Sequence, residues 1–173
     1  VEILYGEAYF IVSPSSEHKG SSFKVKTGIQ EIKVLGTQFN VKAYKDEDQI
    51  YTTLIEGKVS IDNTSSLEIL EPNQQAILNI ISKEMQINTI DVGTEISWVH
   101  GDFIFNKKSL KDIMKVISRW YDVEVEFKNR SLEDNKFYGE LSKYQTIEDI
   151  LNLIKTTNTI NSFEINNNKV LIK

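Results

Sequence analysis

Over residues 32 to 44 the chain reads IKVLGTQFNVKAY, and its alternation of apolar and polar residues changes phase at Gly36. Ile32 and Val34 precede the glycine on even positions, while Phe39, Val41 and Ala43 follow it on odd ones. A strand shows each face every second residue, so a straight strand with this sequence would turn half of its apolar set to solvent. The pattern therefore predicts a bulge at Gly36, or a corner at which the strand passes from one sheet to another. Glycine tolerates either.

The same short alternation runs from residue 1 to about 91, in EAYFIV, SFKVKT, EIKVL, QFNVKAY, IYTTLIEGKVSI, LEIL, QAILNI and MQINTI. Turn signals separate the runs: SPSSEHKGS, YKDEDQ, DNTSS and EPNQ. That spacing predicts an all-β sandwich or roll. Within IYTTLIEGKVSI the inward set reads as Tyr51, Ile55, Val59 and Ile61, with Gly57 in phase, a position that needs no side chain if another backbone passes close.

Beyond VGTEISWVHG the period becomes helical. Leu110, Ile113, Met114, Ile117, Trp120 and Tyr121 line one helix face, and Ile147, Ile150, Leu151 and Ile154 line another. Each helix opens on a hydroxyl followed three residues later by an acid, Ser109 with Asp112 and Thr146 with Asp149. Both are N-cap signals. Strands flank them: DFIF and VEVEF around the first, KFYGEL, SFEI and KVLIK around the second, the last two joined by an NNN turn. Placing Ser109 on Thr146 sets SLKDIMKVI over TIEDILNLI, so two strand-helix-strand units stand in tandem. Neither can cover its own apolar stripe, and the helices must share a core with strands of both. Full burial of each Ile, Leu or Met contributes about 1.5 to 3 kcal/mol, and such a core accounts for Trp120 without a ligand. The fold class is α+β in two domains: the β domain over 1–92, a linker over 93–100, and a tandem βαβ-βαββ domain over 101–173.

Composition narrows the chemistry. A net charge of −5 over 173 residues, with scattered Lys and Arg, argues against nucleic-acid binding. Without cysteine the chain has no disulfide, thiolate metal site or cysteine nucleophile. His18 and His100 lack metal-ligand spacing and read as surface residues. Asp46, Glu47 and Asp48 lack the order of a calcium loop and read as a solvated hairpin tip, and EGKV lacks the rest of a phosphate loop. Glu124 and Glu126 share one strand face, as on a solvent face rather than in an acid/base pair. NTS at 63 to 65 and NRS at 129 to 131 match glycosylation sequons by pattern only. No catalytic constellation and no cofactor motif emerges, and the chain reads as a non-enzyme.

GEAYFIV, FKVKTG, IKVLGTQFNVKAY, TLIEGKVSI and EPNQQAIL, in this order, resemble the periplasmic portion of FecR-family anti-sigma factors. The stretch from WVHGDFIF through SRWYDVEVEF to TIEDILNLI resembles the C-terminal domain attached to many of them, related to the short domain shared by secretins and TonB-dependent transporters. Members usually carry more β sequence before GEAYF, then a single inner-membrane span and a cytoplasmic anti-sigma segment, so the resemblance implies a periplasmic piece truncated at its N-terminus. It further implies a sensor that binds the N-terminal signalling domain of a TonB-dependent outer-membrane transporter and controls an extracytoplasmic-function sigma factor through the cytoplasmic segment. Open sheet edges suit such docking by strand addition. The candidate positions are Phe137, Tyr138 and Leu141, or Lys169, Leu171 and Lys173; Gly36, Gly57, Ser109, Trp120 and Thr146 are structural. The alternative is a carbohydrate-binding or adhesion module, if Tyr5, Tyr9, Tyr44 and Tyr51 form a flat platform.

Overall fold

The computed structural model describes residues 1–173, which divide into two compact units, Val1–Ile96 and Ser97–Lys173. In the first, β1 (Gly6–Val12), β4 (Thr37–Ala43), β5 (Gln49–Glu56), β8 (Gln74–Asn79) and β9 (Met85–Thr89) form one antiparallel sheet in the order β1-β4-β5-β8-β9. A second antiparallel sheet has the order β2-β3-β6-β7, from β2 (Phe23–Thr27), β3 (Gln30–Val34), β6 (Val59–Asp62) and β7 (Leu67–Leu70). One apolar core serves both sheets: Val25, Ile32, Val34, Val59, Ile61 and Leu70 meet Phe39, Val41, Ile50, Leu54, Ala76 and Leu78. A short helix, α1 (Val92–Glu95), capped by Asp91 on the Gly93 amide, ends the unit.

At Gly36 the chain leaves the four-stranded sheet and enters the five-stranded one, and at Gly57 it crosses back. The crossings lie side by side, because β3 pairs with β6 and β4 with β5. This explains the phase reversal at Gly36, and a second reversal that the sequence reading ran straight through. Ile50, Thr52 and Leu54 are the inward residues of β5, not Tyr51 and Ile55; Val59 and Ile61 are inward in a different sheet. Gln38 faces Glu56 while Phe39 faces Leu54, which leaves Ile55 as the extra residue of a bulge just before the turn.

The second unit contains β10 (Asp102–Ser109), α2 (Leu110–Tyr121), β11 (Glu124–Phe127), β12 (Lys136–Ser142), α3 (Ile147–Thr156), β13 (Phe163–Asn166) and β14 (Lys169–Ile172). This order matches the tandem read from the sequence, but apart from the β13–β14 hairpin the pairing runs between the repeats and not within them. The two leading strands pair, β10 with β12, antiparallel; β11 pairs with β14 in parallel, and β13 completes that sheet. Exchange of strands gives both helices one core of Leu110, Ile113, Met114, Ile117, Ile150, Leu151 and Ile154 over Phe105, Leu141, Val170 and Ile172. Trp120 lies outside that cluster. Its indole is half-buried at the last turn of α2 and meets Phe103 edge-on, with centroids 3.9 Å apart.

The caps stand where the sequence repeat places them. Ser109 Oγ accepts from the Asp112 amide at 3.1 Å, and Thr146 Oγ1 from the Asp149 amide at 3.1 Å. At Thr146 the box is reciprocal, since Asp149 Oδ2 accepts from the Thr146 amide. Tyr121 ties the repeats together: its hydroxyl donates to the Gln145 carbonyl at 2.8 Å, directly before the α3 cap.

Candidate docking edges

A strand can bind a partner through its backbone only if one of its sides is unpaired. β14 fails this condition. It is the middle strand of β11-β14-β13, hydrogen-bonded on both sides, so Lys169, Leu171 and Lys173 offer no edge. The two lysine side chains are engaged in ion pairs instead: Lys169 donates to Glu126 at 2.7 Å and Lys173 pairs with Glu164. The first contact holds the Glu126 carboxyl below its ordinary range and raises the Lys169 ammonium. A terminal hairpin predicts an unpaired sheet edge; here the parallel partner β11 occupies the other side of its last strand.

β12 has an open side, because it pairs only with β10. Its side chains divide as alternation requires. Leu141 is buried and Phe137 packs against the core, so neither is available to a partner, whereas Tyr138 is 68% exposed and Glu140 is exposed beside it. Of the three positions taken from KFYGEL, Tyr138 alone projects outward. The Lys143 amide bonds to the Gly101 carbonyl, and alternation from that pair turns the backbone groups of Tyr138 and Glu140 away from β10.

β11 is a second open strand, and the sequence reading did not single it out. The Glu124 amide donates to Asn168 and the Lys128 amide to Ile172, so in this parallel ladder the even residues face β14. Val125 and Phe127 turn their N–H and C=O groups to the other side. That side opens into a groove of about 490 Å³ between β11 and α2, lined by Met114, Lys115 and Ser118 of the helix and by Val125 and Phe127 of the strand. Lys111, Arg130 and Glu133 line it as well, and Lys111 donates to Glu133 at 2.8 Å, which raises the lysine above its ordinary range. Nothing in VEVEF separates an edge strand from an interior one, since side-chain alternation records the faces of a strand and not its sides.

Other expected positions are spread over the molecule. His18 bonds Ser13 at 2.8 Å on an exposed 3-10 turn, and His100 is exposed. Glu47 in the acidic hairpin tip pairs with Lys42 at 3.0 Å. The four tyrosines of the carbohydrate reading engage their own unit: Lys42 lies over Tyr44 and Tyr51, Lys45 over Tyr5, and Tyr9 donates to Gln38. A buried polar row missed in the sequence crosses the five-stranded sheet, where Glu7 accepts from Asn40 at 2.8 Å and Thr53 from Gln75 at 2.8 Å. Burial pushes the Glu7 carboxyl above its ordinary range, against the pull of Asn40 and of the Lys42 charge.

Two family profiles match the chain, that of FecR protein over residues 1–60 and that of the FecR C-terminal domain over residues 102–172. The chain belongs to the FecR family. No curated protein matches it in sequence. It is similar to two crystal structures of a candidate anti-sigma factor from Parabacteroides distasonis ATCC 8503. For the first, identity is 28%, the match covers 98% of this chain and 77% of that one, and the TM-score is 0.82. The second gives 28%, 97% and 76%, with a TM-score of 0.81. FecR-family membership places the chain among signal-transducing regulators, a non-enzymatic class.

Proposed function

We propose that the chain is the periplasmic sensor region of a transmembrane anti-sigma factor. In this reading it binds the N-terminal signalling domain of a TonB-dependent outer-membrane transporter. An inner-membrane span and a cytoplasmic segment outside this sequence then pass the signal to an extracytoplasmic-function sigma factor. The observation that carries the reading is that both family profiles match, in order, along one chain that is similar over nearly its whole length to a candidate anti-sigma factor. The open edges of β11 and β12 support it, since exposed backbone is what strand addition needs. No helix is long and apolar enough to cross a membrane.

The test is titration calorimetry of the chain against the purified signalling domain of the transporter encoded in its gene neighbourhood, with glycan titrations in parallel. Saturable binding of the signalling domain and no glycan response is the expected result. A glycan response without binding of the domain would replace this reading with the carbohydrate-binding one.

A further inference from the structure

We propose that Glu7 and Asn40 form a proton-operated latch for α1. A proton taken from solvent by the Glu7 carboxylate lets it close a two-bond acid–amide pair with Asn40 and keeps the helix seated. Loss of that proton returns a carboxylate that pushes on Glu95 and loosens the helix. This goes beyond the docking reading and does not depend on it.

The latch is built on the face of the five-stranded sheet turned away from the apolar core. Asn40, Thr53 and Gln75 stand there at neighbouring positions of β4, β5 and β8, and all three are buried. Asn40 gives one end of its amide to Glu7, with Nδ2 donating to Glu7 Oε1 at 2.8 Å. The other end, the buried Oδ1, has no hydrogen-bond partner. A carboxylate has no proton to offer it, whereas the neutral acid donates from one oxygen and accepts at the other, matching both ends of the amide. An unpaired buried acceptor is costly, so the site prefers the protonated acid.

α1 is seated on the same polar row. Val92 is its buried residue, and Glu95 Oε2 accepts at 3.4 Å from Gln75 Nε2, which also donates to Thr53 at 2.8 Å. A helix of four residues is too short to be stable by itself and depends on such contacts.

Three elements bring charge to Glu7: Lys42 of β4, Glu47 in the turn after β4, and Glu95 of α1. Lys42 attracts the carboxylate, but it is shared with Glu47 at 3.0 Å and lies over the ring of Tyr51 on β5. Glu47 and Glu95 repel it. Burial is the largest influence and acts with them, so the Glu7 carboxyl stands above its ordinary range. The closed latch is therefore favoured below that raised value and is lost as pH rises through it. α1 is the last element of the first unit along the chain, so the change reaches the backbone that leads into the second.

The experiment is an NMR titration of the whole chain from about pH 4 to about pH 8. It follows the Glu7 carboxyl carbon, the Asn40 side-chain amide and the exchange protection of the Ile96 amide, which donates to the Val92 carbonyl across α1. One shared midpoint is expected, above those of the exposed glutamates, and Ile96 protection should fall by about twofold through it, the effect of one like-charge pair. Glu7→Gln should keep protection at its acid level throughout, because the new amide is neutral and still offers Asn40 Oδ1 a donor. Glu95→Gln keeps an acceptor for Gln75; it should lower the Glu7 midpoint and flatten the dependence at Ile96. The thermal midpoint verifies that Glu7→Gln folds, and Glu95→Gln carries the same test from the helix side. Ile96 protection that ignores the Glu7 midpoint, or that titrates alike in the unmodified chain and both variants, overturns the latch. A Glu7 midpoint unmoved by Glu95→Gln overturns it as well.

Discussion

A β-carbon on Gly57 would stand 2.5 Å from the carbonyl oxygen of Gly36. The two glycines sit at the paired corners where adjacent strands cross between the sheets of the N-terminal unit, and the backbones approach too closely for a side chain between them. Thr37 closes the same corner, its hydroxyl donating to the Lys58 carbonyl at 3.0 Å. From the other side the loop after β1 leans in, with Pro14 Cα 2.8 Å from where a Gly36 β-carbon would lie and the Ser15 amide bonded to the Leu35 carbonyl. Backbone angles of φ +147° at Gly36 and +91° at Gly57 add a conformational demand to the steric one.

Gly57→Ala is thus expected to destabilise the chain by about 1 to 3 kcal/mol, and Gly36→Val by at least as much, since each combines strain with a clash against backbone. Urea denaturation followed by tryptophan-independent circular dichroism reads this directly. An unchanged midpoint for both variants would show that the corner relaxes, and that its close approach is not needed for the fold.

The two helix caps make a matched pair. Thr146→Ala and Ser109→Ala should each cost about 1 kcal/mol at neutral pH. The Thr146 cap carries an acid dependence as well. The Thr146 hydroxyl and amide both hold the Asp149 carboxyl below its ordinary range. Stability from a lowered carboxyl is present above its unfolded-state value and is lost as pH falls through the folded one. The Thr146→Ala penalty should therefore shrink on acidification, and a penalty constant between pH 7 and pH 2 would contradict the reciprocal cap.

Glu7 gives the opposite sign. Its carboxyl is raised, chiefly by burial, so the stability it contributes is present below the unfolded-state value and is lost as pH rises through the folded one. Glu7→Gln should accordingly raise the thermal midpoint at pH 7, and the advantage should vanish in acid. The new amide keeps an acceptor for Asn40 Nδ2 and brings a donor next to the buried Asn40 Oδ1, which has no hydrogen-bond partner. A shift of the same size at every pH would mean that packing, not charge burial, governs this position.

Tyr121 links the end of α2 to the start of α3 through the Gln145 carbonyl. Tyr121→Phe preserves the ring in the core but leaves that carbonyl without the phenol. A loss of about 0.5 to 1.5 kcal/mol is expected, measured by equilibrium denaturation. No loss would show that water replaces the phenol at no cost.

Much of this architecture was legible in the chain itself. Alternation marked nearly every strand, helical period and hydroxyl-x-x-acid starts marked α2 and α3, and the shared SLKDIMKVI and TIEDILNLI pattern marked the tandem. The reversal at Gly36 was visible because a long strand follows it and shows its new phase. The matching reversal at Gly57 was hidden: Tyr51, Ile55, Val59 and Ile61 are all apolar on odd positions and mimic one continuous face, although a bulge at Ile55 and a change of sheet separate them.

What the sequence by itself determined is which side chains of each strand and helix turn inward, because burial of apolar area is written into the order of residues. Only the tertiary structure decided which strands lie beside one another. It made β14 an interior strand and left β11 open along α2. The reason is that lateral pairing is made by backbone N–H and C=O groups, which every residue in those strands carries alike, and so the side-chain pattern holds no record of it.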